Sequence, residues 1–285
     1  MKRTAVVLAI AAVACKPLPA ADDPIFLAPV PRTTPTAPPT RFTVVSFNVH
    51  FGGDPVGLAN ALRAGGLADA DVYLLQEIED HVPAEPRSRA EALAAELGLA
   101  VIYAPARRLG HHGRGNHGLA VMSRWPIIDD VVLRLPDYHL LWSSRPRIAI
   151  GVLLDVAGTP VQVWNVHLDT RIAPEDRIAQ LVPVFDRARA LPAMAIVGGD
   201  FNTWAIIHQR AIDGLAAAQG FDTPTADLTD SQPGGLITWP PRPAFRLDAI
   251  YTRGFAIVDA GVDRAVHGSD HLPIWVQLQW PRPIP

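Results

Sequence analysis

Cysteine is almost missing from this chain: 285 residues hold one, Cys15. A lone cysteine excludes an intrachain disulfide framework and a cysteine-built zinc site. Long apolar runs are missing too. The stretch from Ala5 to Ala14 is about half the roughly 20 residues that a membrane-crossing helix needs. Neither sign of charge dominates, because 25 Lys and Arg stand against 28 Asp and Glu for a net charge of −3. Such a chain has no global basic field to drive sequence-independent duplex binding, so any phosphate binding must be local. No fixed-period repeat occurs, which excludes solenoids and propellers. The rest is ordinary globular composition, 49% apolar and 19% charged, which excludes intrinsic disorder and collagen-like repeats. A domain of this length buries about three quarters of its unfolded surface without cross-links.

The first segment reads as an address. Lys2 and Arg3 precede the Ala5 to Ala14 run, the pattern of an export signal over residues 1–15. The run ends in Ala12-Val13-Ala14-Cys15, which resembles the lipobox of bacterial lipoproteins, whose cysteine becomes a lipidated N-terminus; Ala12 stands where leucine is usual. The expected location is therefore outside the cytoplasm, either anchored to a membrane through Cys15 or released in soluble form after an Ala-x-Ala cleavage. Residues 16–40 come next, with Pro17, Pro19, Pro24, Pro29, Pro31, Pro35, Pro38 and Pro39, which predicts an extended tether or a disordered leader. The domain proper is expected over 41–285.

Within it, β-branched and apolar runs alternate with helical periods. Strands are expected at Phe42 to Phe47, Val72 to Leu75, Ala100 to Tyr103, Leu119 to Met122, Ile127 to Leu133, Ile148 to Asp155, Val161 to Val166, Met194 to Val197, Asp248 to Tyr251 and Leu272 to Gln279. Helices are expected at Val56 to Ala64, introduced by Asp54-Pro55, at Ser88 to Leu97 with Gly98 as the stop, at Pro174 to Ala190, and near Ala205 to Ala218. This is α/β material in one domain.

Polar residues interrupt the pattern where apolar strands end. Asn48 closes Val44-Val45-Ser46-Phe47, Glu77 comes after Val72-Tyr73-Leu74-Leu75, His167 ends Val161 to Val166, and Asp200 and Asn202 come after Ala195 to Gly199. Asp248 opens another strand, and Ser269-Asp270-His271 adds two more chemical groups. Taken singly, each has a structural explanation: a turn former, a solvated carboxylate, a core histidine, a helix cap. Their joint placement is what points to a crevice, because ligands in α/β folds gather at strand ends.

The ordered set Ser46-Phe47-Asn48-Val49, Leu75-Gln76-Glu77, His117 to Arg124, Asn165-Val166-His167-Leu168-Asp169, Gly199-Asp200-Phe201-Asn202, Leu247 to Tyr251 and Ser269-Asp270-His271 resembles the endonuclease/exonuclease/phosphatase superfamily, from about Arg41 to Trp280. The resemblance implies a four-layer α/β sandwich, two β-sheets packed face to face with helices outside. It also implies Glu77 as the primary metal ligand, with Asn48 and Asp270 completing or supporting that shell. Asp248 would orient His271, and the general base would be His271 or, as in some relatives, Asp200. His167 would donate to the phosphoryl group or leaving oxygen, with Asp200 and Asn202 orienting water and phosphate. Asn116, His117 and Arg147 are candidate substrate contacts; a pure turn role is the alternative for the first two.

The chemistry fits these residue types directly. A phosphodiester repels hydroxide, so its hydrolysis needs a cation against the phosphoryl oxygens and groups that move protons on both sides of phosphorus. Carboxylate and amide oxygens suit Mg²⁺ or Mn²⁺. The expected activity is metal-dependent phosphodiester hydrolysis, with a nuclease as the first reading. The loop from Ala106 to His117 supports it, since Arg107, Arg108, His111, His112 and Arg114 there form a local cationic patch. Phosphodiesterase or phosphatase action on lipid headgroups, sphingomyelin or phosphoinositide, or on small phosphate esters is the alternative, and an inactive binding domain the third. Trp142, Trp204 and Trp239 are candidates for base stacking or membrane contact, or for the core. No protein partner is predicted.

Overall fold

The computed structural model describes residues 26–28, 31–80, 88–108, 115–138, 145–190, 194–234 and 244–280. Twelve strands and four helices are seen among them. The strands are β1 (Phe26–Ala28), β2 (Arg41–Phe51), β3 (Val72–Asp80), β4 (Ala100–Arg108), β5 (Asn116–Ser123), β6 (Ile127–Arg134), β7 (Ile148–Val156), β8 (Thr159–His167), β9 (Ala195–Asp200), β10 (Asp248–Arg253), β11 (Ala256–Val262) and β12 (Ile274–Gln279). The helices are α1 (Pro55–Ala64), α2 (Arg89–Leu97), α3 (Pro174–Ala190) and α4 (Ile206–Ala218). One sheet has seven strands in the order β1-β4-β5-β3-β2-β12-β11, the other five in the order β10-β9-β8-β7-β6.

Side-chain alternation explains the layers. A strand sends successive side chains to opposite faces, and here both faces are buried. Val44 and Leu74 point to the core between the sheets, where they meet Ile150, Val163 and Ile196. Their chain neighbours Val45, Tyr73 and Leu75 point the other way, to a second core under α1 and α2 with Leu62 and Leu93. On the second sheet Trp164, Val166 and Val197 turn outward to α3 and α4, against Leu181, Phe185 and Ile212. The continuous apolar runs of the sequence are thus strands covered on both sides, and the architecture is the four-layer α/β sandwich. The helix boundaries obey their chemistry. Asp54 accepts a hydrogen bond from Gly57 N ahead of Pro55, Ser88 accepts one from Glu91 N, and Gly98 ends α2 at φ +72° in the left-handed region.

Two strands have no counterpart in the sequence pattern. β11 lies on a sheet edge with no fully buried residue, so no apolar period marks it. β1 sits between Pro24 and Pro29, yet Phe26 to Ala28 pair with Tyr103 to Val101, and Arg32 N donates to Gly98 O at 3.3 Å. The segment read as a tether over 16–40 is therefore fastened to the domain from Phe26; an edge strand tolerates flanking prolines because one side makes no ladder. The export signal, Cys15 and the rest of that segment up to residue 25 lie outside the described residues. No described helix is long and apolar enough to cross a membrane.

Close backbone approach demands glycine at position 118. A Cβ on Gly118 in β5 would stand 2.1 Å from Ala104 O in β4, whereas one on Gly214 in α4 would meet nothing within 4 Å. Gly118→Ala is expected to destabilise the fold by about 1–3 kcal/mol. Gly214→Ala should be neutral or stabilise it by up to about 1 kcal/mol, as helix propensity dictates. Urea midpoints of the two variants check the contrast.

Candidate active site

The site begins with a defect in a strand. Between Leu75 and Ile78 the pairing of β3 with β5 slips, and β3 also slips against β2, so the residues between bulge out of the ladder. Glu77 occupies this bulge at φ +58°, a conformation that non-glycine residues rarely adopt. The carbonyls freed by the slip are caught from the opposite sheet. Asn165, in the middle of β8, donates through Nδ2 to Leu75 O at 2.9 Å and to Ala120 O at 2.8 Å, while its Oδ1 accepts from Gln76 Nε2 at 2.7 Å. Asn165 is fully buried, so these bonds meet no competing water. The result is a carboxylate aimed away from the apolar core.

Glu77 faces two histidines. Its Oε2 is 3.8 Å from His117 Nε2, and its Oε1 is 3.7 Å from His167 Nε2. Burial opposes charge on Glu77, but the neighbouring His117, His167 and Arg147 outweigh it and hold the carboxyl below the usual carboxylate range. Behind His167 stands Arg147, buried, with Nη1 at 2.9 Å from His167 Nδ1. A guanidinium only donates, so Nδ1 must accept and the imidazole proton sits on Nε2. Burial, and then the Arg147 charge, keep His167 well below its ordinary pKa and so neutral. His167 therefore presents an N–H, not a proton acceptor, to Glu77 and to Asp200 Oδ2, which is 3.5 Å away.

Asp200, at the end of β9, is where the strand ends meet. Its Oδ2 accepts from Asn48 Nδ2 at 3.0 Å and lies 3.9 Å from His271 Nε2, while its Oδ1 accepts from Asn202 N at 2.9 Å. Asn202 has φ +50° and donates to Leu168 O at 3.0 Å, tying the β9 loop to the β8 loop. Burial pushes the Asp200 carboxyl up from the ordinary range. His271 Nδ1 is 2.8 Å from Asp248 Oδ2. Burial works against its charge, but Asp248 overrides burial and raises its pKa. Ser269 holds the last loop in place, donating to Asn48 O at 2.6 Å and accepting from His271 N at 3.1 Å.

The residues singled out in the sequence divide cleanly. Glu77, His167, Asp200, Asn202, Asp248, His271 and Asn48 form one contact network. His117 joins it at Glu77, and Asn116 is buried beside it in strand β5, where Tyr103 donates to its Oδ1. These two sit in a strand, not in a turn. Arg147 lies behind His167. Asp270 is exposed, with its Oδ1 3.2 Å from His50 Nδ1, at the Asn48 and Ser269 side of the site. Two contributors carried no role in the sequence reading, Asn165 and Asp169. The latter is fully buried and accepts from Arg145 N at 2.7 Å and Arg171 N at 3.0 Å. For Asn165 the signal was an amide inside an apolar strand pattern; Asp169 lies two residues beyond the end of β8.

A divalent cation fits this donor set. Glu77 is ionised and partly open, Asp248 Oδ1 is buried without a hydrogen-bond partner among the described residues, and one ligand atom each from Asp200, Asp248 and His271 lies within 4.8 Å of the others. Most of these donors are hard oxygens, as Mg²⁺ and Mn²⁺ prefer.

Two packed sheets with this constellation at their strand ends define the phosphoesterase-type sandwich. The endonuclease/exonuclease/phosphatase family model matches residues 45–271, and the chain belongs to that family. No curated protein matches the chain. Among solved structures, it is similar to the endonuclease/exonuclease/phosphatase from Beutenbergia cavernae at 23% identity, over 85% of this chain and 72% of that one, with a TM-score of 0.66. It is also similar to TDP2 of D. rerio complexed with single-strand DNA product, at 18% identity over 84% and 99% with a TM-score of 0.62. A mannosyl-6-phosphatase from Bacteroides thetaiotaomicron is 19% identical over 84% and 100%, with a TM-score of 0.58.

Asn165 is the test of how the bulge is held. Asn165→Ala strands two buried carbonyls and is expected to lower stability by about 2–6 kcal/mol, from roughly 1–3 kcal/mol for each unsatisfied group. Phosphoester hydrolysis, assayed where the variant is still folded by circular dichroism, should fall by more than tenfold because Glu77 loses its fixed position. Unchanged turnover in a folded variant would show that the bulge holds without it.

Proposed function

We propose that this protein hydrolyses phosphodiesters with the help of a divalent cation, by attack of a water molecule held between Asp200 and His271. The observation that carries this reading is the single network in which Glu77, His167, Asp200, Asn202, Asp248 and His271 converge from separate strand ends. The cation, held by Glu77 with Asn48 or by the Asp200, Asp248 and His271 group, would supply Lewis-acid withdrawal of charge from the phosphoryl oxygens. Asp248 fixes the His271 ring so that Nε2 faces Asp200. His271 Nε2 lies 3.9 Å from Asp200 Oδ2, and the pair takes the proton of the attacking water. His167, neutral and with its proton on Nε2, donates a hydrogen bond to oxygen that gains charge. Asn202 and Asn48 keep the Asp200 carboxylate oriented.

Two substrate classes compete within this chemistry. A nuclease would use the cationic loop, of which Arg107 and Arg108 are described and His111, His112 and Arg114 lie outside the described residues. A lipid-headgroup phosphodiesterase is favoured by a different observation, the exposed apolar surface of Trp204, Ile206 and Ile207 beside Asn202. Localisation at a membrane through Cys15, or release as an exported soluble protein, belongs to the same proposal.

Glu77→Ala and His271→Ala are each expected to cut hydrolysis of bis-p-nitrophenyl phosphate by about 10²-fold or more, with unchanged circular dichroism. EDTA should abolish wild-type turnover, and Mg²⁺ or Mn²⁺ should restore it. Near-normal turnover in either variant, or in EDTA, would overturn the assignment.

A further inference from the structure

Large apolar side chains seldom stand open in water together. Among the described residues the three most exposed ones are Ile207 at 72%, Ile206 at 65% and Trp204 at 62%, all within four positions. They come directly after Asn202 and Thr203, and Trp204 packs edge-on against Phe245 with ring centroids 6.5 Å apart. Trp204 and Ile206 also line a groove of about 550 Å³. Gln209, in the same groove, donates to Thr203 O and to Arg246 O, each at 2.8 Å, so the groove wall is fastened to the two segments that carry Asn202 and Asp248. The patch and the segments that carry Asn202 and Asp248 are therefore tied together by hydrogen bonds.

Charge around the groove decides which ligand suits it. Arg246 is held bidentately by Asp213, both bonds at 3.0 Å, and among the described residues the other ionisable groups lining the groove are Arg210 and Asp227. Two cations against two anions give no electrostatic track for a phosphate backbone. Isoleucines do not stack on bases, whereas tryptophan beside aliphatic residues is the composition that settles at the boundary of a bilayer. The chain upstream agrees. Ten residues separate Cys15 from Phe26, the first residue of β1, and extended they reach about 31 Å at roughly 3.1 Å each. The radius of gyration of a domain of this size is about 18 Å, so a chain held at Cys15 keeps the domain against the lipid.

We propose that Trp204, Ile206 and Ile207 seat the catalytic domain on a lipid surface, so that its substrate is a phosphodiester carried by a membrane lipid. This rests on the phosphodiesterase reading of the Asp200 and His271 site and names the substrate class for that same site. Because the flanking charges balance, docking requires apolar insertion only, and zwitterionic vesicles suffice.

The experiment uses the full chain carrying Cys15→Ser, so that no acyl group contributes. An environment-sensitive fluorophore is attached through Ile207→Cys or, as the control, through Ile128→Cys; Ile128 is 57% exposed on β6, at the opposite edge of the five-stranded sheet. With phosphatidylcholine vesicles the label at 207 should shift to the blue and the label at 128 should not. Trp204→Ala/Ile206→Ser/Ile207→Ser, with unchanged circular dichroism, should lose more than tenfold in hydrolysis of vesicle phospholipid while hydrolysing bis-p-nitrophenyl phosphate at the wild-type rate. No shift at 207, or equal shifts at both labels, overturns the docking. So does a triple variant that keeps its vesicle activity, or one that loses plasmid nicking instead, which would make the patch a nucleic-acid surface. A wild type that hydrolyses no diester with any divalent cation sinks the catalytic reading and with it the substrate class; the label at 207 then still judges the docking by itself.

Discussion

The structure depends on a buried amide crossing from one sheet to the other. A bulge in the middle of a covered strand leaves main-chain carbonyls without partners, and no water reaches them there. Asn165 supplies both missing donors from β8 and is itself fixed by Gln76. Without that arrangement the ladder would gain by closing the bulge, and Glu77 would fall back into the alternation of β3. The sandwich thus holds an unfavourable backbone at φ +58° because its two sheets are locked face to face. That strain is what turns a carboxylate out of the apolar core and toward the histidines.

The electrostatics of the cleft come from the same burial. Asp200 and Asp248 are almost without solvent contact, and two adjacent carboxylates in such a place repel each other's charge. The protein answers with His271 between them and with Asn48 donating to Asp200. It stops short of neutralising the whole group, because Asp248 Oδ1 keeps an unused lone pair. Arg147 belongs to the same logic. By donating to His167 Nδ1 it makes that imidazole a donor toward the cleft and adds positive charge near Glu77 without standing in solvent itself. Two histidines with similar surroundings in sequence acquire opposite tendencies, the pKa of His167 lowered by burial and an arginine and that of His271 raised by an aspartate.

How much of this the sequence carried can be argued from particular residues. The helices were legible because Asp54-Pro55 and Ser88 to Gly98 announce their ends chemically, and α3 was bounded to the residue. Strand cores were legible as apolar runs, yet several strands run on through Asn48, Glu77, His167 and Asp200. Polar residues at a strand end break the period while the ladder continues, so the pattern stopped early just where the site starts. β11 was silent because an exposed edge imposes no alternation. The gathering of the catalytic set rested on the order of short motifs along the chain. Its internal wiring, Asn165 under the bulge and Arg147 behind His167, was not legible, since partners 90 and 20 residues apart leave no local mark.

Helix α4 shows where local rules were set aside. Its N-cap is Ala205, which makes no side-chain hydrogen bond, although a Ser, Thr, Asp or Asn there is worth about 0.5–2 kcal/mol. The first turn then exposes two isoleucines to water directly after an exposed tryptophan. A surface chosen for stability would carry a capping side chain, as the starts of α1 and α2 do with Asp54 and Ser88. Elsewhere the sequence agrees with the fold in caps, alternation and buried amides, so a stretch that breaks two rules within five residues of Asn202 points to selection for something other than folding. The site's chemistry needs only Asp200 and Asn202 from this loop. The exposed apolar residues from Trp204 to Ile207 are therefore the ones on which the proposed lipid docking rests.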